Sequence, residues 1–192
     1  MDSTIGFLSL LAYALYFMLP AYMANVSALA FGGGVPVDFG KNYRDGRRLL
    51  GDGVTWRGTI IGIIMGTIVA ALQGLVFMYY GDIFTLIPEW TTIAGIIPTT
   101  WGEWIVLGLA LSGGALAGDA VGSFIKRRIK LERGRPAPFL DQLDFVVGAL
   151  VLASLVVTIP LSIVLLILIF TAILHLAANT IAYFLGLKNV WY

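Results

Sequence analysis

From Phe139 to Leu187 the chain is almost continuously apolar. About 20 apolar residues already span the roughly 30 Å hydrocarbon core of a bilayer, so this run is too long for one helix and suits two joined by a tight turn. Thr158-Ile159-Pro160 marks the break, because proline disfavours helix at the residue before it. The rest of the chain has the same character. Of its 192 residues 59 % are hydrophobic and 12 % charged, whereas an average soluble chain is about a quarter charged. A water-surrounded domain is excluded, and lipid is the solvent. The net charge of +1 gives no footing for nucleic acid, and the absence of cysteine excludes disulfides and thiolate metal sites.

Three further apolar stretches bring the expected spans to five, at about residues 5–31, 59–80, 104–125, 140–158 and 160–186. Met1-Asp2 supplies no basic start, so the first stretch reads as a retained membrane helix rather than a cleaved signal. Phe77, Tyr79, Tyr80 and Phe84 form an aromatic belt, and Gly81 to Glu103 reads as an interfacial loop holding Asp82, Pro88, Glu89 and Trp90. All twelve Lys and Arg residues fall in the Gly32–Gly58 loop, the Lys126–Pro138 loop or at Lys188. The positive-inside rule therefore puts both polar loops and the C-terminus in the cytoplasm and the N-terminus outside. The expected fold is all-α, a multi-pass cell-membrane bundle forming one domain over residues 1–192, with its polar loops facing the cytoplasm.

Ionised groups at membrane depth are costly and normally face a wet cavity or a partner. Asp119 lies about two turns before Lys126, and on a continuous helix it would share a face with Ser123, Lys126 and Lys130. It either pairs with a snorkelling cation or lines a cavity. Asp141 and Asp144 open the fourth span on one face; helix-dipole compensation would need only one of them. With Asp119 they make an all-oxygen set suited to Mg²⁺, which is usually held by a few carboxylates plus substrate phosphates. Gly32-Gly33-Gly34 and Gly51-Asp52-Gly53 suit turns or phosphate approach, but no Walker motif is present. His175 is the one histidine; it lies four residues before Asn179, while Asn25 sits in the first span. Such polar residues often only bond a neighbouring helix.

The run Asp119-x-x-x-Ser123-Phe124-x-Lys126-Arg127, continued by Pro138-x-x-Asp141-Gln142-x-Asp144, resembles the signature of membrane CTP:phosphatidate cytidylyltransferases. Three further segments are Pro20-x-x-x-Ala24-Asn25, Gly34-x-Pro36-x-Asp38-x-Gly40 and Leu50-Gly51-Asp52-Gly53-x-Thr55-Trp56-Arg57-Gly58. With His175-x-x-x-Asn179 and Leu185-Gly186-Leu187-Lys188, they make the whole chain similar to the archaeal CDP-archaeol synthases. Arg135-Pro136 replaces the Lys-Asp pair of the bacterial pattern, and only Pro138 remains of its Pro-Gly-His-Gly-Gly segment. Both departures fit the archaeal branch.

The resemblance implies a Mg²⁺-dependent cytidylyltransferase. CMP would pass from CTP to di-O-geranylgeranylglyceryl phosphate, an isoprenoid ether lipid phosphate, giving unsaturated CDP-archaeol and pyrophosphate. Asp119, Asp141 and Asp144 would be the catalytic metal ligands. Ser123, Lys126, Arg127 and Lys130 would bind CTP together with Asp38, Thr55 and Arg57, and Asn25, His175 and Asn179 would line the polar cavity at the lipid headgroup. The rival readings are a CTP-dependent polyprenol kinase, which moves the γ-phosphate, a small transporter with Asp119 and His175 along its path, and a noncatalytic bundle.

Overall fold

The computed structural model describes residues 3–80, 96–131, 137 and 139–186. Its helices are α1 (Ser3–Ala30), α2 (Trp56–Tyr80), α3 (Trp101–Arg128), α4 (Leu140–Ala153) and α5 (Leu161–Phe184). Among the described residues no β-strand forms, and two isolated antiparallel bridges, Pro36 with Thr55 and Asn42 with Arg48, shape the first polar loop. The expected loop residues Asp82, Pro88, Glu89 and Trp90, together with Pro138 and Lys188, lie outside the described residues.

Four helices, α1, α2, α3 and α5, are long and apolar enough to cross a membrane. The expected fourth span differs, for α4 has 14 residues and at 1.5 Å per residue is only about 21 Å long. It ends at Ala153 because the chain tightens there: Val156 and Val157 both donate to the Ala153 carbonyl at 2.9 Å. Pro160 then serves as the N-cap of α5. The third span begins earlier than expected. Thr100 and Glu103 form a capping box, with the Glu103 N–H donating to Thr100 Oγ1 at 3.3 Å, so Glu103 belongs to α3 and not to the preceding loop.

Lipid tails are as apolar as leucine, so membrane helices associate mainly through close packing. Small residues at Gly58, Gly62, Gly66, Ala70 and Gly74 recur every fourth position along α2 and are all buried. A Cβ on Gly58 would lie 2.7 Å from the Ala28 carbonyl oxygen, and one on Gly62 would lie 2.7 Å from that of Ala24, so α1 rests directly on the α2 backbone. A Cβ on Gly66 would fall 2.7 Å from Ser112 Cβ, which brings α3 against the same ridge. Tyr13, Met18, Leu107, Leu111, Val146, Ile163 and Ile167 fill the core from α1, α3, α4 and α5.

Candidate active site

The first polar loop is folded around a buried carboxylate. Asp38 is 6 % exposed and accepts the backbone N–H groups of Gly40, Leu50 and Gly51, each at 3.0 Å. Arg48 adds Nη2 at 2.8 Å and Nε at 3.3 Å. Burial alone pushes this carboxyl up, but the Arg48 guanidinium and the three N–H donors outweigh it and hold the group well below the usual carboxylate range. Thr55 is equally committed. Its Oγ1 accepts from Gly33 at 3.1 Å and from Gly58 at 3.2 Å, which ties the end of α1 to the start of α2. Arg57 donates Nε to the Phe31 carbonyl at 2.8 Å and Nη2 to that of Gly32, holding the turn that follows α1. Asp38, Thr55 and Arg57, expected at the nucleotide, thus form the framework of the loop.

Two arginines strap this loop to α3. Arg128 Nη1 pairs with Asp45 at 2.6 Å, and Nη2 donates to the Arg48 carbonyl at 2.6 Å. Its guanidinium lies 4.8 Å from the Tyr43 ring centroid and 4.9 Å from that of Phe124. Arg127 donates Nη1 to the Leu131 carbonyl at 2.6 Å and approaches that of Leu50 at 3.4 Å. Arg128 is not among the residues expected at the site, although its four-residue spacing from Phe124 is the available signal. Lys130 is expected on the same helical face as Asp119. Instead α3 closes in a Schellman turn, in which Leu131 N–H bonds the Lys126 carbonyl at 2.9 Å and Lys130 takes φ 68°. Lys130 therefore leaves that face, while Ser123 and Lys126 remain on the helix with Asp119.

On the other side of α3, glycines bring α4 into backbone contact. A Cβ on Gly114 would strike the Gly148 carbonyl, one on Gly118 the Asp144 carbonyl, and one on Gly122 Asp144 Oδ2 itself. This seam delivers the acidic group. Asp144 Oδ1 accepts the Phe145 N–H at 2.7 Å, whereas its Oδ2 is buried and has no hydrogen-bond partner among the described residues. Asp119, Asp141 and Lys126 all lie within electrostatic reach of Asp144. Lys126 Nζ pairs with Asp141 Oδ1 at 2.7 Å, and Asp141 Oδ2 accepts the Ala137 N–H at 2.8 Å.

Among the described residues no three acidic or histidine side chains already converge to hold a metal ion. The three aspartates expected to form one oxygen site do not converge on a common point among the described residues, and both oxygens of Asp141 are engaged, by Lys126 and by Ala137. The donor set still fits Mg²⁺. It is all oxygen, and an orphaned buried Asp144 oxygen is what a cation completed by substrate phosphates would satisfy.

A second polar line runs along α5. Thr171, His175 and Asn179 recur every fourth residue, and His175 Nδ1 lies 3.2 Å from Asn179 Nδ2. Thr171 Oγ1 meets Tyr22 Oη of α1 at 2.7 Å, and the Tyr22 ring packs edge-on against Phe145 of α4. Asn25 is half-buried one turn beyond Tyr22. Neither Tyr22 nor Thr171 stood out in the sequence, since each is an ordinary membrane-helix residue until its partner is known.

Comparison with known proteins gives one consistent result. Residues 7–192 match the family model described as CarS-like, CDP-archaeol synthase. The chain is 50 % identical to the CDP-archaeol synthase of Methanocaldococcus jannaschii, over 97 % of this chain and 99 % of that one. It is 54 % identical to the CDP-archaeol synthase of Methanothermobacter thermautotrophicus, over 94 % and 93 %. A solved structure of an intramembrane enzyme for archaeal membrane lipid biosynthesis superposes with a TM-score of 0.70 at 40 % identity, covering 86 % of this chain and 92 % of that one.

Proposed function

This chain belongs to the CDP-archaeol synthase family, and from that premise we propose how its residues carry out the reaction. The activity is CTP-dependent cytidylyl transfer in archaeal membrane lipid synthesis. The acceptor is di-O-geranylgeranylglyceryl phosphate, and the products are unsaturated CDP-archaeol and pyrophosphate. An oxygen of the lipid phosphate attacks the α-phosphorus of CTP in line. One P–O bond forms, the bond to the bridging oxygen breaks, and pyrophosphate leaves with its electron pair. The attacking phosphate is already ionised, so no protein group has to remove a proton.

Such a transfer depends on positioning and electrostatics. Asp119, Asp141 and Asp144 are the residues that would hold Mg²⁺, which supplies charge neutralisation on the triphosphate. Lys126, released from Asp141 as substrate arrives, binds phosphate with Ser123 and Arg127, and Lys130 binds it from the turn that closes α3. The first loop seats the nucleotide through the shape that Asp38, Thr55 and Arg57 impose on it. Asn25, His175 and Asn179 line the polar cavity at the lipid headgroup.

The observation that carries this reading is the buried, unpartnered Asp144 Oδ2 within electrostatic reach of Asp119, Asp141 and Lys126. The test is incubation with the lipid phosphate, Mg²⁺ and CTP labelled at either the α or the γ position. Label from the α position is expected in the lipid phase, and activity is expected to vanish with a chelator. Label from the γ position would make the enzyme a kinase and overturn the assignment.

The proposed topology has five passes in a single domain in the cell membrane, with the N-terminus outside and the site in the cytoplasm. Short α4 completes its crossing through the apolar segment 154–160. The chain has no cysteine, so single cysteines at Asp45 and at Thr158, the far end of that segment, report sidedness without background. Labelling of both from the same side would break the scheme.

A further inference from the structure

The first polar loop carries an apolar tip that the proposed reaction does not use. Val35, Phe39 and Trp56 are all exposed there, and the Phe39 and Trp56 rings lie tilted against each other with centroids 6.3 Å apart. The Trp56 N–H donates to the Val35 carbonyl at 3.0 Å, which fixes the Val35 backbone beside the pair. Phe39 is 64 % exposed and takes φ 51°, a left-handed conformation that a bulky side chain seldom adopts. The loop holds it there: the Phe39 N–H donates to the Pro36 carbonyl at 3.0 Å, and its neighbours Asp38 and Gly40 belong to the buried carboxylate network. Apolar side chains gathered in the open on a strained turn mark a contact surface.

Where this tip sits relative to the membrane follows from α2. That helix has 25 residues, about 37 Å at the helical rise, against roughly 30 Å of hydrocarbon. Trp56, its first residue, therefore lies at one membrane boundary and Tyr80, its last, at the other. Trp56 also heads a ridge with Ile60, Ile64, Ile68 and Leu72, exposed at every fourth position along one face of α2. The ridge faces lipid, and the tip continues it past the end of the helix. Lys41 and Arg44 are exposed on the same loop, and cations beside interfacial aromatics suit the phosphates of lipid headgroups.

We propose that Val35, Phe39 and Trp56 form an interfacial anchor that seats the first polar loop in the headgroup layer of the nearer leaflet. The occupant is bilayer lipid, selected by continuity with the exposed ridge of α2. Anchoring sets the height of the loop. Because Arg127 and Arg128 tie the loop to α3, it also steadies the mouth of the candidate site.

The chain has no cysteine of its own, so Phe39→Cys, Ile60→Cys and Arg44→Cys can each carry a single nitroxide in vesicles of phosphatidylcholine and phosphatidylglycerol. Collision with oxygen, which concentrates in lipid, is compared with collision with a water-soluble nickel chelate. The Phe39→Cys label is expected to favour oxygen at a depth of roughly 5–10 Å, between the deeper Ile60→Cys and the water-exposed Arg44→Cys. A Phe39→Cys label as open to nickel as that of Arg44→Cys overturns the proposal. So does nickel access that CTP with Mg²⁺ removes, which would make the tip part of the nucleotide site. Dipolar broadening that disappears on dilution with unlabelled protein would also overturn it, by making the tip an interface between copies. The intact rings give a second check. Lipids brominated at the top of the acyl chain are expected to quench the parent's tryptophan fluorescence more than that of Trp56→Phe, and equal quenching of the two would sink the anchor.

Discussion

Two buried or half-buried carboxylates, Asp38 in the first loop and Asp144 in the α3–α4 seam, stand in opposite situations. Asp38 receives three backbone N–H groups and a guanidinium. Asp144 has one oxygen bonded only to the next residue's N–H and the other buried with nothing to accept from. A satisfied buried carboxylate organises its surroundings, whereas an unsatisfied one is a cost that the fold carries for a reason beyond itself. The comparison separates an acid whose oxygens are spent inside the fold from one with an oxygen left over, a distinction residue type alone cannot make.

The strongest test of this contrast is Asp144→Asn. Activity is expected to fall on the order of 10³-fold, the scale seen when one preorganised electrostatic group is lost. Thermal stability in detergent should hold or rise, because a buried carboxyl with one unpartnered oxygen is removed. A large loss of stability with activity retained would reverse the roles given to the two aspartates.

Asp38→Asn should show the opposite pattern. Here the cost is structural, about 1–3 kcal/mol for buried donors left without their acceptor, read as a lower melting temperature and faster proteolysis within residues 39–51. Acid offers the same test without mutation. Because the folded-state carboxyl of Asp38 is depressed, its stabilisation is fully present above the ordinary carboxylate pKa of about 4 and is lost as pH falls below it. Hydrogen-exchange protection at Gly40, Leu50 and Gly51, taken relative to the intrinsic rate at each pH, should fall as pH drops from about 5 to about 2, while protection constant over that range would contradict the network.

The smallest expected effect lies at the strap between the two regions. Arg128→Lys keeps the charge but loses the planar fork that reaches Asp45 and the Arg48 carbonyl while lying against Tyr43 and Phe124. KM for CTP is expected to rise by roughly three- to tenfold, about 1 kcal/mol, with KM for the lipid unchanged. A change confined to the lipid would mean that the first loop serves the acceptor instead.

Much of this architecture is legible in the residue order. The positions of α1, α2, α3 and α5 follow from apolar length alone, and the gathering of cations in two loops follows from charge. Asp119, Asp141 and Asp144 stand out because ionised groups at membrane depth need a reason. Other features are silent in the sequence for identifiable causes. The early end of α4 depends on turn bonds around Ala153, and Lys130 leaves the helical face through a Schellman turn in which a lysine occupies a position that usually favours glycine. The pair of Tyr22 with Thr171 joins residues 149 positions apart.

What the sequence determined by itself is the solvent, the composition of the spans and the kind of chemistry their oxygen-rich ends can support. Those properties sum over local residues and need no partner. Tertiary structure alone decided which acids are spent and which are available. It also decided that glycines on α3 and α4 would set Asp144 in the seam between those two helices. Hydrogen-bond satisfaction and backbone contact are properties of pairs, and the pairs exist only once the helices have met.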